Sequence, residues 1–200
     1  YELDVLTKSL MKRGRDSLFV AIKSLPNDEL AQLISEILED KIENNENYLL
    51  YVRKVLSGLE KMFLRGYLVD DENLIKKLRG YAANKSKNNK KIQILTMPAI
   101  NCLSVCLNQR IITSTENTLN YDDLTLLLLK KFCLLLVHHN PQVRILASEK
   151  IRESLMFIDF FGNKNQQLTE ILENTEWAAI GEAAKVKAAK TSVVELLEIS

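Results

Sequence analysis

The chain has 200 residues, of which 46% are hydrophobic and 26% are charged, close to the average of globular domains. Its net charge of +1 at pH 7 gives no overall electrostatic signal for nucleic acid or for a membrane surface. Only six glycines and three prolines are present, and this scarcity of turn residues favours an all-helical chain.

Apolar residues recur at helical spacing along nearly the whole chain. The first two stripes are short and end near Gly14 and at Pro26. Asn27 is the predicted N-cap of a third helix, because its side chain can accept a hydrogen bond from the first turn. A longer fourth helix is predicted to end at Gly66, since a residue without a Cβ easily adopts the left-handed conformation.

A basic segment overlaps the fifth predicted helix, which begins at residues 70–72 and ends near Gly80. Residues 82–91 are predicted to form a flexible loop. The basic segment, residues 76–91, contains seven positive charges with no acid between them: Lys76, Lys77, Arg79, Lys85, Lys87, Lys90 and Lys91. The segment could contact an acidic protein partner or phosphates, or it could be a solvated loop without a ligand.

The next helical pattern, residues 92–107, contains Pro98. Proline costs about 3 kcal/mol in a helix interior, so a kink or break is predicted just before it. Residues 110–120 are predicted to form a second flexible loop, in which Asn120 would cap the following helix.

Residues 124–137 are almost entirely apolar, but the run has 14 residues and contains two lysines. A membrane span needs about 20 apolar residues, so a helix buried on all sides is predicted instead. Asn140 and Pro141 are predicted to start the next helix, whose apolar stripe runs from Val143 to Ile158. A short helix is predicted after Gly162 and a last helix over 176–198, which gives about ten predicted helices in all.

Two groups of residues resemble parts of metal or catalytic sites. His138 and His139 are adjacent, so on a helix they point about 100° apart, and they are predicted to interact with carbonyl groups at a helix end. Cys102 and Cys106 lie on one helical face, where packing in the core is the favoured interpretation. An odd number of cysteines in apolar surroundings predicts reduced thiols in the cytoplasm.

No catalytic motif is found in the sequence: it has no glycine-rich phosphate loop, no GxSxG and no HExxH. The sequence therefore predicts a protein that is not an enzyme and that needs no cofactor or metal. Antiparallel helical pairs of about 40 residues predict one α-solenoid domain of HEAT or armadillo type over residues 1–200. Because the chain begins at an amphipathic stretch with Tyr1 and not with Met, we expect it to be the C-terminal part of a longer repeat protein.

In roughly the last 75 residues, a leucine-rich run leads into Pro141, Val143 and Arg144, and Thr175-x-Trp177 and a final Leu196-Leu197 follow. This order resembles the C-terminal end of tubulin-folding cofactor D. In that family a leucine-rich helix leads into a Pro-x-[Ile/Val]-Arg turn, followed by a Thr-x-Trp element and a final Leu-Leu helix. The matching residues are Pro141, Val143, Arg144, Ala147, Ser148, Thr175, Trp177, Leu196 and Leu197. The stretch 51–68, ending in Gly-Tyr-Leu, also looks like an upstream segment of the family.

The resemblance implies a non-enzymatic scaffold of the cytoplasm and the microtubule cytoskeleton. Its partners would be β-tubulin, tubulin-folding cofactors C and E, and an Arf-like small GTPase, acting together in assembly or dissociation of the αβ-tubulin heterodimer. The basic segment is a plausible contact because tubulin is acidic. Two alternatives stay open: an unrelated HEAT-repeat adaptor in transport or signalling, and a nucleic-acid-binding helical repeat that uses the same basic segment.

Overall fold

The computed structural model describes residues 26–39, 46–113, 122–157, 163–179 and 183–197. Every regular element in these ranges is helical, which confirms the all-helical prediction. The eight principal helices are α1 Asn27–Glu39, α2 Glu46–Leu64, α3 Glu72–Ala82, α4 Met97–Thr113, α5 Asp123–Leu135, α6 Pro141–Leu155, α7 Asn163–Asn174 and α8 Ala183–Leu197. The first two predicted helices, before residue 26, lie outside the described residues.

The chain divides into two compact units, Tyr1–Gln109 and Arg110–Ser200. The single repeat domain over residues 1–200 stays a prediction. In the first unit α1 packs against both α2 and α3. The core of this unit is built from the buried apolar faces of its helices, with Ile34, Leu59 and Leu78 fully inaccessible to solvent.

The end of α2 is a Schellman motif. The N–H of Gly66 donates to the carbonyl of Phe63, and the N–H of Tyr67 donates to the carbonyl of Met62. Gly66 has φ +81°, so the predicted left-handed stop is confirmed. Leu68 follows with φ +60°, an uncommon conformation for a residue with a branched side chain, and its side chain is buried.

The helix before Pro98 widens and does not break. A short turn, Asn89–Lys91, leads into a π-helical turn, Ile92–Thr96, which runs directly into α4. The N–H of Met97 donates to the carbonyl of Ile92, five residues back. A π-turn of this kind changes the hydrogen-bond register where proline supplies no N–H. Where the sequence predicted a kink or a break, the structure has a local change of helix type.

The helix α4 continues to Thr113, so the loop predicted at 110–120 begins too early. Arg110 is buried and donates from Nε to the hydroxyl of Thr125 at 3.1 Å and from Nη2 to Asp122 at 2.5 Å, contacts that support the last turn. The N-cap of α5 is Asp122, whose carboxylate accepts from the N–H of Thr125 at 2.8 Å. The cap predicted at Asn120 lies outside the described residues.

In the second unit, α5 contacts α6, α6 contacts α7, α7 contacts α8, and α8 returns to α5. This closed cycle is the adjacency of a four-helix bundle. The stacking of successive pairs that a solenoid requires would place α5 beside α7 and α6 beside α8. Neither pair belongs to the main contacts among the described helices of this unit.

The helix α5 is buried on one face only. Phe132, Cys133 and Leu136 are inaccessible or nearly so, whereas Leu134 is 49% exposed and Lys130 is also exposed. The prediction of a helix buried on all sides is therefore wrong, because one face of α5 stays exposed among the described residues. Among the described residues, no helix is long and apolar enough to cross a membrane.

Two helix boundaries in this unit also differ from the prediction. The last helix begins at Ala183 and not at residue 176, because residues 175–179 form a separate turn that contains Trp177. The helix α6 ends at Leu155, and the last residue of its predicted stripe, Ile158, lies outside the described residues. The start of α6 is confirmed, since the side chain of Asn140 accepts from the backbone N–H groups of Gln142 and Val143.

Candidate functional site

The basic segment is divided among three elements. Three of its members lie on α3, two lie in the loop after it, and two lie in the turn Asn89–Lys91. The exposed side chains are Lys76, Lys85, Lys87 and Lys90, and the partly buried ones are Lys77, Arg79 and Lys91. The seven charges are therefore unequal candidates for contact with a partner.

The loop between α3 and the turn is built by side-chain hydrogen bonds two residues apart. Asn84 accepts from the N–H of Ser86 at 2.9 Å, Ser86 accepts from the N–H of Asn88 at 3.1 Å, and Asn88 accepts from the N–H of Lys90 at 2.9 Å. Such short polar side chains stabilise turns without a regular element. Irregular backbone covers only 83–88, so the loop predicted over 82–91 is shorter than expected, and the exposed Lys85 and Lys87 alternate with its bonding residues.

The lysines of α3 are less suited to contact an acidic partner. Lys77 donates from Nζ to the carbonyl of Ser35 at 2.9 Å, which ties α3 to α1. Lys76 lines an open groove of about 760 Å³ together with Asp28 and Asp71. The fold thus brings acids close to this part of the segment, although none separates the lysines in the sequence. The surface most suited to an acidic partner is Lys85, Lys87 and Lys90.

A buried arginine joins the two segments that carry the family resemblance. Arg144, in the first turn of α6, donates from Nε to the carbonyl of Trp177 at 2.5 Å. Its Nη1 donates to the carbonyls of His138 at 2.7 Å and His139 at 3.2 Å, and its Nη2 to that of Ala179 at 3.4 Å. Desolvation lowers the pKa of Arg144 from its ordinary value, but a guanidinium keeps its proton in proteins.

The Thr-x-Trp element completes the C-terminal end of α7. The indole N–H of Trp177 donates to the carbonyl of Leu172 at 2.8 Å, and the hydroxyl of Thr175 donates to the carbonyl of Ile171 at 2.6 Å. Carbonyl groups in the last turn of a helix lack a partner within the helix, and the indole supplies one for Leu172. The carbonyl of Ile171 accepts from both the N–H and the hydroxyl of Thr175. The sequence indicated these residues as a motif but not the contact of Trp177 with Arg144, which depends on how α6 and α7 pack.

The two histidines have a local role at the end of α5. Their ring centroids are 4.3 Å apart, and Nδ1 of His138 accepts from the N–H of Asn140 at 3.1 Å. The carbonyls of His138 and His139 accept from Arg144, and the predicted interaction of the imidazoles with carbonyl groups at the helix end stays a prediction. No group of three or more His, Cys, Asp or Glu side chains among the described residues could hold a metal ion.

All three cysteines are buried thiols. Cys102 donates to the carbonyl of Leu56 at 3.0 Å and Cys106 to that of Val69 at 3.6 Å. Burial raises the pKa of Cys102 well above its ordinary value and that of Cys133 to about 12. A thiol that resists deprotonation is a poor nucleophile and a poor metal ligand, so the core-packing interpretation is confirmed.

No known protein family, curated protein or solved structure matches the chain. The function is therefore inferred from the residues of this chain. Two features are available for them: the exposed lysines Lys85, Lys87 and Lys90, and the cluster in which Arg144 holds the carbonyl of Trp177.

Proposed function

We propose that this chain is part of a non-enzymatic helical scaffold related to tubulin-folding cofactor D. It would contact β-tubulin through Lys85, Lys87 and Lys90, and act in the cytoplasm with cofactors C and E and an Arf-like small GTPase in assembly or dissociation of the tubulin heterodimer. A HEAT-like solenoid in the longer protein, to which these helices would contribute, belongs to the same proposal.

The observation that carries the proposal is the hydrogen bond between Arg144 and Trp177. These residues come from the two motifs of the resemblance, Pro-x-Val-Arg and Thr-x-Trp, which are 33 positions apart in the sequence. The bond joins the two motifs where α6 packs against α7 and the turn after it. A direct bond between them gives their presence in one chain a structural cause, and this supports a shared architecture.

Electrostatics supports the choice of contact surface. Lys85, Lys87 and Lys90 are exposed and lie within six residues of one another, on a loop whose backbone is held by its own side chains. A local group of like charges increases the association rate with an oppositely charged protein, and salt weakens the effect. The proposed contact therefore predicts binding that depends strongly on ionic strength.

Charge reversal at these three positions tests the contact. The triple variant Lys85→Glu, Lys87→Glu, Lys90→Glu is compared with the unchanged chain for capture of purified β-tubulin at low and high salt. Each exposed charge pair contributes about 0.2–1 kcal/mol, so loss of three attractions with added repulsion should weaken capture about tenfold or more at low salt. The difference should shrink at high salt, where charges more than a few ångströms apart are screened.

A control variant carries the same change in net charge at three exposed lysines elsewhere, Lys54→Glu, Lys130→Glu and Lys131→Glu. It should alter capture by less than about threefold if the contact is local. Equal losses in the two variants would refute the local contact. Failure of the unchanged chain to bind β-tubulin at low salt would reject the tubulin proposal and favour an unrelated helical adaptor.

A further inference from the structure

A second candidate surface lies entirely within the second unit. An open groove of about 440 Å³ runs past the end of α5 and the first turns of α6 and α8. Arg144 and Lys187 line it together with His138 and His139, and Val137 and Val186 contribute apolar walls. The groove therefore combines positive charge with apolar surface.

The positive charge is local to the groove. The described residues that line it include two permanent cations and two imidazoles but no carboxylate. Over residues 110–200 as a whole, the sequence has ten Lys and Arg against twelve Asp and Glu. The unit is thus slightly acidic overall, and the groove differs in sign from the unit around it.

Arg144 makes the groove favourable to an anion. The residue is 9% exposed, and its four hydrogen bonds go to neutral carbonyls. Among the described residues, no carboxylate balances this charge. A charge removed from water without a counter-ion is costly, and an anion placed beside it recovers part of that cost.

We propose that this groove binds an acidic peptide segment of a partner protein. A carboxylate of the segment would lie near Arg144 and Lys187, and the aliphatic carbons of the segment's side chains would cover Val137 and Val186. The groove is several times larger than one carboxylate or phosphate group, and its apolar walls have no use for a free ion. The phosphate backbone of a nucleic acid has no aliphatic side chain to cover the apolar walls. The site uses different residues from the proposed β-tubulin contact and does not depend on it.

The only tryptophan of the chain provides the readout. Trp177 accepts a hydrogen bond from Arg144, so occupation of the groove should change its fluorescence. The full chain is titrated at low salt with a ten-residue peptide rich in glutamate, and separately with a peptide in which glutamine replaces every glutamate. We expect saturable binding of the first peptide, at least tenfold tighter than that of the second.

A matched pair of variants places the binding site. Lys187→Glu reverses a charge in the groove, and Lys185→Glu makes the same change in the same helix at an exposed position that does not line it. Affinity should fall about tenfold in the first variant and less than about threefold in the second. Circular dichroism and urea unfolding of both variants establish that each is folded.

Several outcomes would overturn the proposal. Equal weakening by the two variants would indicate general electrostatic attraction, and absence of saturable binding at low salt would remove the site. Complete competition by inorganic phosphate at equal concentration would indicate a simple anion pocket. A single-stranded DNA oligomer that binds as tightly as the glutamate peptide, and that loses affinity with Lys187→Glu, would reassign the groove to nucleic acid.

Discussion

Replacing Arg144 by alanine should destabilise the second unit more than any exposed substitution in the same helix. The change removes the donor for four backbone carbonyls, those of Trp177, His138, His139 and Ala179. These carbonyls connect the start of α6 to the end of α5 and to the turn after α7. Loss of the hydrogen bonds from Arg144 would therefore weaken both of these connections.

The size of the effect follows from the bond lengths. A hydrogen bond from a charged group contributes about 1.5–3 kcal/mol net. The two shortest bonds, at 2.5 Å to Trp177 and 2.7 Å to His138, together give about 3–6 kcal/mol. The two longer bonds, to His139 and Ala179, lie beside an open groove where water can replace the donor. The variant also no longer has a buried cation, so the desolvation cost of that charge is removed. We expect a loss of about 3–4 kcal/mol in unfolding free energy, from a domain stability of about 5–15 kcal/mol.

Urea unfolding followed by the fluorescence of Trp177 measures the loss, because this single tryptophan lies in the second unit. The control is Arg152→Ala in the same helix, where the guanidinium pairs with Glu173 at 3.2 Å and both side chains are about half exposed. An exposed pair of this kind should cost about 0.5 kcal/mol or less. If Arg144→Ala and Arg152→Ala differ by less than about 1 kcal/mol, the carbonyl-binding role assigned to Arg144 is refuted.

Two further predictions concern titratable groups. Burial raises the pKa of Cys133 to about 12, so a thiol reagent at about pH 8 should label it only after unfolding, and rapid labelling of the folded chain would contradict this. Partial desolvation acts to raise the pKa of Asp122, but hydrogen bonds from Thr125 and the charge of Arg110 lower it on balance. A lowered folded-state pKa stabilises the protein above the unfolded value of about 3.9 and loses that contribution as pH falls. The unfolding free energy should therefore decline below about pH 4.5, and less steeply in Asp122→Asn; parallel pH profiles would contradict the assignment.

The sequence predicted helix ends well where a single residue determines the local conformation. Gly66 ends α2 because glycine adopts positive φ without a steric penalty, and Asn140 with Pro141 begins α6 because the amide caps the free N–H groups while proline needs none. Both signals act within a few residues. Sequence spacing is therefore sufficient to detect them.

Features that depend on contacts between helices were not predicted. The apolar composition of α5 did not show that Leu134 faces solvent. The exposure of a side chain depends on which faces of its helix pack against other helices. The spacing around Pro98 did not distinguish a break from a π-turn, since the π-turn is held against α3 by the bond from Thr96 to the carbonyl of Tyr81. Lys77 belongs to a run of charges in the sequence, but its contact with Ser35 in α1 assigns it a structural role.

Arg144 shows how one residue can contribute to folding and to binding, and how the two contributions can be separated. Several neutral carbonyls accept from its N–H groups, and these bonds join α6 to the end of α5 and to the turn after α7. Its charge has no counter-ion among the described residues, so the groove beside it stays positive. A substitution of Arg144 would change both properties together and could not distinguish them. Lys187 lines the same groove and is exposed, so its reversal should alter affinity for an acidic peptide with little change in unfolding free energy. We expect Arg144→Ala to lower stability and Lys187→Glu to lower affinity alone. This pair of results would show that Arg144 mainly stabilises the fold and that the groove recognises the peptide.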